Sequence, residues 1–248
     1  MYIVTIANQK GGVGKTTTCA AFAEGLTQRG YKVLCVDADP QANLTDLLQS
    51  DSGVTLYDVI TGGADVQAAI QETRHGDLLR GDARLTEKGL LTGKGEVFLL
   101  RRILRSLPAK YDVVIIDAPP SLGALTISAL VAADGVIIPA RADKFSLAGV
   151  QELFAETIMR TVKPMNPELS VLGVLITQYN GRTTLNRGML DAFMQQVEIY
   201  HTRVLMPPIR RTVAVEEAQF TGDVLGSIST AAQDYNEIIS QLPKLFNL

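Results

Sequence analysis

Short apolar runs rich in valine and isoleucine occur at residues 2–7, 32–37, 112–117, 135–140 and 170–177. They are nearly continuous rather than alternating, which is how strands buried on both faces read, and they predict a parallel sheet covered by helices. Between them, apolar positions recur at helical spacing over 16–29, 96–107, 122–132 and 147–161. Strand and helix in alternation imply right-handed βαβ units, hence an α/β fold with a doubly wound, mostly parallel sheet flanked by helices. Residues 51–95 carry glycines at 53, 62, 63, 76, 81, 89, 93 and 95 and predict short helices, surface loops and one short strand near 77–79. Helical patterns return at 185–198, 213–220 and 230–245. No repeat, low-complexity tract or linker divides the chain, so one domain over residues 1–248 is expected.

Composition narrows this picture. Hydrophobic residues make up 46% and charged residues 20%, the balance of a globular chain with a substantial core. The two cysteines, Cys19 and Cys35, lack the spacing of a zinc site, an iron–sulfur cluster or a disulfide framework, and are expected as small core residues in a reducing cytosol. The first strand begins at once, so no signal peptide is expected, and no apolar run approaches the ~20 residues that span a bilayer. The net charge of −3 does not advertise nucleic-acid binding, so any DNA contact must come from a local basic patch.

After the first strand stands Asn8-Gln9-Lys10-Gly11-Gly12-Val13-Gly14-Lys15-Thr16-Thr17, followed directly by a helical pattern. A strand, a glycine-rich turn and a helix start aim successive backbone N–H groups at one point, where the helix dipole adds positive potential; polyphosphate binds there. Glycines let backbone approach phosphate closely. In that role Lys15 reaches the β- and γ-phosphates and the Thr16 hydroxyl ligates Mg²⁺. Gln9 stands where the usual phosphate-loop pattern has glycine, and KGGVGKTT, with its additional Lys10, is the deviant Walker A motif.

At these residues the chain resembles the ParA/MinD family of deviant Walker A P-loop ATPases, and more closely its ParA (Soj-like) branch. The resemblance runs over essentially the whole chain. Val36-Asp37-Ala38-Asp39-Pro40-Gln41 resembles the family's switch I, and Tyr111 to Pro120, containing Asp117, its Walker B and switch II. Thr55-Leu56-Tyr57-Asp58-Val59 and Glu216-Glu217-Ala218 match family habits less specifically. Asp117 ends an apolar strand, at the carboxyl edge where open α/β sheets bind ligands, and a carboxylate there suits Mg²⁺. The resemblance implies that Asp39 orients the attacking water and joins Thr16 and Asp117 around the metal. Asp37 is either a supporting carboxylate or a structural one. The family places adenine-binding residues after a late strand, here at Thr177-Gln178-Tyr179-Asn180, and further on near Pro208. Lys10 is the residue that, in this family, crosses a dimer interface to the partner's nucleotide, so the resemblance implies catalysis by Lys10, Lys15 and Asp39 and an ATP-dependent homodimer.

The remaining choices concern the branch. The terminal stretch 240–248 holds one lysine and a proline, too little positive charge for the basic amphipathic anchor of membrane-binding relatives, so no membrane partner is expected. Neither cluster cysteines nor an N-terminal helix-turn-helix domain is expected, since neither cysteine lies where cluster ligands would sit and residues 2–7 already read as the first strand. What the resemblance implies is an Mg²⁺-dependent ATPase, cytoplasmic and nucleoid-associated. It would bind DNA without sequence preference through Arg182, Arg187, Arg210 and Arg211, and be stimulated by a ParB-like partner in plasmid or chromosome segregation. A ParA-like ATPase that positions a protein cargo through an adaptor stays open beside it, and a MinD-like membrane-patterning ATPase is the third reading.

Overall fold

The computed structural model describes residues 1–50, 53–87, 89–91, 93, 95–215, 224 and 229–248. One eight-stranded sheet contains β1 (Tyr2–Ile6), β2 (Val33–Asp37), β3 (Gln71–Thr73), β4 (Gly76–Leu79), β5 (Val113–Asp117), β6 (Gly135–Arg141), β7 (Ser170–Thr177) and β8 (Val204–Leu205). Their order is β3-β4-β2-β5-β1-β6-β7-β8, parallel throughout except for the β3–β4 hairpin. The five long apolar runs and the short strand near 77–79 are all present. β3, which reads Gln-Glu-Thr, and the two-residue β8 are edge strands that the apolar pattern did not announce.

The helices are α1 (Lys15–Gln28), α2 (Asn43–Leu47), α3 (Leu56–Ile60), α4 (Val66–Ala69), α5 (Leu99–Arg105), α6 (Ala124–Ala132), α7 (Lys144–Glu152), α8 (Thr184–Ile199) and a C-terminal helix, Thr230–Leu245. Successive strand residues point to opposite faces, so each central strand feeds two cores. Val4, Cys35, Ile115, Ile137 and Leu175 pack on one face against Phe22 of α1 and Tyr235, Ile238 and Ile239 of the C-terminal helix. Ile3, Val36, Val114, Ile138 and Ile176 pack on the other against α3, α5, α6 and α8. Burial on both faces is the physical reason for the unbroken apolar runs. Cys19 and Cys35 lie fully buried in the first of these cores, and burial pushes both thiols well above their ordinary values.

Two local features refine the expected helices. The segment expected as a helix over 147–161 begins at Lys144, because the Asp143 carboxylate accepts from the Ser146 N–H as an N-cap, and beyond Glu152 it continues as wider π-type turns from Leu153 to Val162. The expected helix at 213–220 is helical at 213–215, and the rest of it lies outside the described residues, as does Glu216-Glu217-Ala218.

The C-terminal helix is docked rather than free. A Cβ on Gly25 of α1 would come within 2.5 Å of Ile239, so the glycine sets how closely the two helices approach. The Tyr235 and Thr18 hydroxyls are hydrogen-bonded at 3.0 Å, and Phe246 stacks on Tyr2 with ring centroids 4.9 Å apart. No helix among the described residues is long and apolar enough to cross a membrane.

Candidate functional site

β1 sits between β5 and β6, and the chain winds out to one edge of the sheet before crossing to the other. The loop after β1 therefore opens where the winding reverses, the place where doubly wound sheets bind ligands. Asn8 anchors its start: the side-chain amide donates to Pro139 O at 2.6 Å while its carbonyl oxygen accepts from the Lys10 N–H at 2.9 Å. Gly12 and Gly14 are left-handed, with φ of 68° and 86°, and Gly14 is the N-cap of α1. A Cβ at Gly14 would meet Thr177 only at 3.6 Å, ordinary contact, so conformation rather than space demands glycine there. The end of β7 fastens the loop from behind: Thr177 Oγ1 donates to Val13 O at 2.8 Å and Gln178 Nε2 to Gly12 O at 2.9 Å. The first helical bond runs from Thr18 N–H to Gly14 O, so the N–H groups of Lys15 and Thr16 precede it, where a helix start offers donors to an anion.

Carboxylates gather at the same edge because the register places Asp37 of β2 beside Asp117 of β5. Both are fully buried, and burial pushes both carboxyls up, Asp117 further than Asp37. Asp37 spends its oxygens locally: it accepts from the Thr45 N–H and hydroxyl at 2.8 and 2.7 Å and from the Asp39 N–H at 3.2 Å. That is a buttress for the loop after β2. Asp117 Oδ2 accepts from the Thr16 hydroxyl at 2.6 Å, while Asp117 Oδ1 is buried with no hydrogen-bond partner. A buried carboxylate oxygen left unpaired is costly and calls for a cation. The oxygens of Thr16 and Asp117 fit a hard ion such as Mg²⁺. No group of three or more His, Cys, Asp or Glu able to hold a metal occurs among the described residues; Mg²⁺ characteristically keeps several waters and substrate phosphates beside one or two protein ligands.

Lys15 is also buried, and burial lowers its ammonium below the ordinary lysine value against the attraction of Asp117 and Asp39. Asp39, 6% exposed, accepts from the Gln41 N–H at 3.0 Å, the aspartate turn that Asp before Pro favours. Lys10 stands apart from this cluster. Its Nζ contacts Asp143 Oδ1 and Oδ2 at 3.0 and 3.2 Å and Ser146 Oγ at 3.1 Å, and lies 5.9 Å from the ring of Phe145, itself 80% exposed.

Beside the phosphate loop is a cavity of about 120 Å³ lined by Gly14, Thr17, Thr177, Gln178, Ile209, Arg210, Arg211, Thr212, Val215 and Tyr235. Neither Asn180 nor Pro208 lines it. Asn180 instead ties its own turn, accepting from the Arg182 N–H at 3.1 Å. Thr177 and Gln178, from the same stretch of sequence, do reach the cavity.

The four arginines fall on adjoining segments, because Tyr179 bridges to Arg210 in parallel register. All four are exposed, Arg187 donating to Gly181 O at 2.8 Å. Arg210 differs in its pairing: its guanidinium and backbone N–H both bind the Asp234 carboxylate, with the shortest contact 2.7 Å. Sequence reading missed Asp143, Ser146, Thr45 and Asp234. Asp143 had a signal, an aspartate two residues beyond an apolar strand as Asp39 is. Asp234 sits mid-helix, 24 residues from its partner, and had none.

A family model described as an AAA domain matches residues 1–171. The chain is 36% identical to the sporulation initiation inhibitor protein Soj of Bacillus subtilis over 227 residues, 89% of this chain and 88% of that protein. It is 37% identical to the chromosome partitioning protein ParA of Caulobacter vibrioides over 229 residues, 89% and 84% of the two. Among solved structures, cobyrinic acid a,c-diamide synthase from Mycobacterium smegmatis with bound ADP and magnesium superimposes with a TM-score of 0.85 at 37% identity, covering 100% of this chain and 96% of that one.

Proposed function

This chain belongs to the ParA/MinD family of P-loop ATPases, and we propose that it is a partitioning ATPase of the ParA (Soj-like) branch. It dimerises with ATP, binds DNA without sequence preference and hydrolyses ATP when a ParB-like partner stimulates it. The observation that carries the reading is the placement of Lys10. A lysine of the phosphate loop is held outside its own cradle by Asp143 and Ser146, beside an exposed phenylalanine. A cation so placed serves a second subunit better than its own nucleotide, and charge supplied in trans accelerates phosphoryl transfer.

Within one subunit the roles follow from position. Lys15 and the start of α1 hold the phosphates, and the Thr16 hydroxyl and Asp117 hold Mg²⁺, which when bound neutralises phosphate charge. Asp39 orients the attacking water. Asp39→Asn keeps an oxygen for the turn to Gln41 but removes the charge, so it is expected to retain nucleotide affinity while turnover falls by about a hundredfold or more. Phosphate release measured beside nucleotide titration checks this; normal turnover would leave Asp39 a turn former only.

The DNA face is tested directly. Fluorescence anisotropy with unrelated duplexes is expected to give matching affinities with ATP and much weaker binding with ADP. Removing Arg182 or Arg211 should weaken all duplexes alike and make the salt dependence shallower, because phosphate contacts carry no base information. Arg210, already committed to Asp234, is expected to matter less by this route. Strong preference for one duplex, or indifference to Arg182 and Arg211, would remove the patch. Stimulation of phosphate release by a DNA-binding partner, rather than by a cargo adaptor, separates segregation from the protein-cargo reading.

The membrane-patterning reading loses support on physical grounds: it needs a helix free to enter lipid, and the helix Thr230–Leu245 buries its apolar face, including Ile238, Ile239 and Leu242, against the core.

A further inference from the structure

We infer that Asp234 is a positioning residue for the nucleobase, acting through Arg210 to hold the outer wall of the cavity beside the phosphate loop. The inference rests on the nucleotide reading above and extends it to a residue of the C-terminal helix. The cavity, about 120 Å³, opens beside the phosphate loop and suits one end of a nucleotide. Its inner walls are Gly14 of the phosphate loop and Thr177 and Gln178 from the end of β7. A planar base lying there would leave its phosphates toward the loop. The outer wall is the segment that carries Arg211 and Thr212, which among the described residues lies outside the strands and precedes the helical residues 213–215.

That segment is fixed from two sides. Toward the sheet, Ile209 N–H donates to Ile176 O at 2.7 Å, Tyr179 N–H to Ile209 O at 2.9 Å and Arg211 N–H to Tyr179 O at 3.0 Å. Toward the C-terminal helix, Asp234 accepts from the Arg210 backbone N–H at 2.9 Å, from Nε at 2.9 and 3.1 Å and from Nη2 at 2.7 Å. Nη2 also donates to Thr230 O at 3.2 Å. One nearly buried carboxylate thus binds both the peptide and the side chain of the same residue, and fixes the wall's orientation as well as its distance. Charge-assisted, multidentate bonds are the strong and geometrically specific ones. Tyr235, the next residue on the helix, closes the cavity and is itself tied to Thr18 of α1.

A pair that only anchored the helix would affect every ligand equally or none. A pair that positions the base affects nucleotides and spares a ligand with no base. The test is calorimetric titration with Mg-ATP and with Mg-tripolyphosphate, which occupies the phosphate loop alone. Asp234→Ala is expected to weaken ATP about tenfold and leave tripolyphosphate unchanged. Arg210→Lys, which keeps the charge but loses the forked geometry, is expected to show the same selective loss at smaller size, and serves if Asp234→Ala does not fold. Equal loss of both ligands, or unchanged ATP affinity in a folded variant, would overturn the inference. Wild-type protein that binds neither ligand would instead bring down the nucleotide reading on which it rests.

Discussion

Replacing Lys15 by alanine is expected to lower ATP affinity by about a hundredfold, roughly 2.8 kcal/mol, with the fold intact by circular dichroism. The side chain is 7% exposed, and burial already lowers its ammonium. A buried cation is retained only where fixed negative charge compensates its lost hydration. Asp117 and Asp39 supply part of that compensation, and a polyphosphate at the helix start would supply the rest. Lys10 sits with Asp143 and Ser146 rather than with Asp117 and Thr16, so it is not expected to replace Lys15. Calorimetric titration with Mg-ATP checks the loss, and wild-type affinity in Lys15→Ala would end the assignment of this loop as the phosphate site.

Lys10→Ala is expected to do the opposite: ATP affinity stays within about tenfold, or 1.4 kcal/mol, while ATP-dependent dimerisation and partner-stimulated hydrolysis are lost. In the single chain the Lys10 ammonium contributes to the Asp143 and Ser146 contacts and not to the cluster of Lys15, Thr16 and Asp117. Its attraction to a second subunit's triphosphate would depend on the γ-phosphate, since Coulomb energy scales with the charge present. Sedimentation with a slowly hydrolysed ATP analogue separates the two outcomes. A variant that dimerises and turns over normally would leave Lys10 a surface lysine paired with Asp143.

The parts of this molecule that were legible in sequence are those where one local rule dominates. β1, β2, β5, β6 and β7 are buried on both faces, so their middles are nearly all apolar, with Asp37 and Asp117 confined to the carboxyl ends where the site lies. The phosphate loop needs glycine where φ is positive, and Gly12 and Gly14 carry that requirement in plain letters. What stayed hidden depends on partners distant in sequence. The difference in pairing between Arg210 and Arg211 is set by Asp234, and the parking of Lys10 by Asp143, 133 residues away. β3 and β8 form because a neighbouring strand offers them bonds, not because of their own pattern. The resemblance pointed to Thr177, Gln178, Tyr179, Asn180 and Pro208 around the base; of these Thr177 and Gln178 line the cavity beside the phosphate loop, together with the segment from Ile209 to Thr212.

The two sulfhydryls have a consequence for how the molecule can be interrogated. Cys19 and Cys35 are sealed in the core and kept protonated, so maleimides, iodoacetamides and mild oxidants find no nucleophile on the folded native surface. A single cysteine introduced at Leu185, which is 72% exposed beside the arginine-bearing turn, would then be the only site to accept a dye or a spin label. The native background is silent, and a reporter could be placed on this face without first stripping the chain of its own thiols.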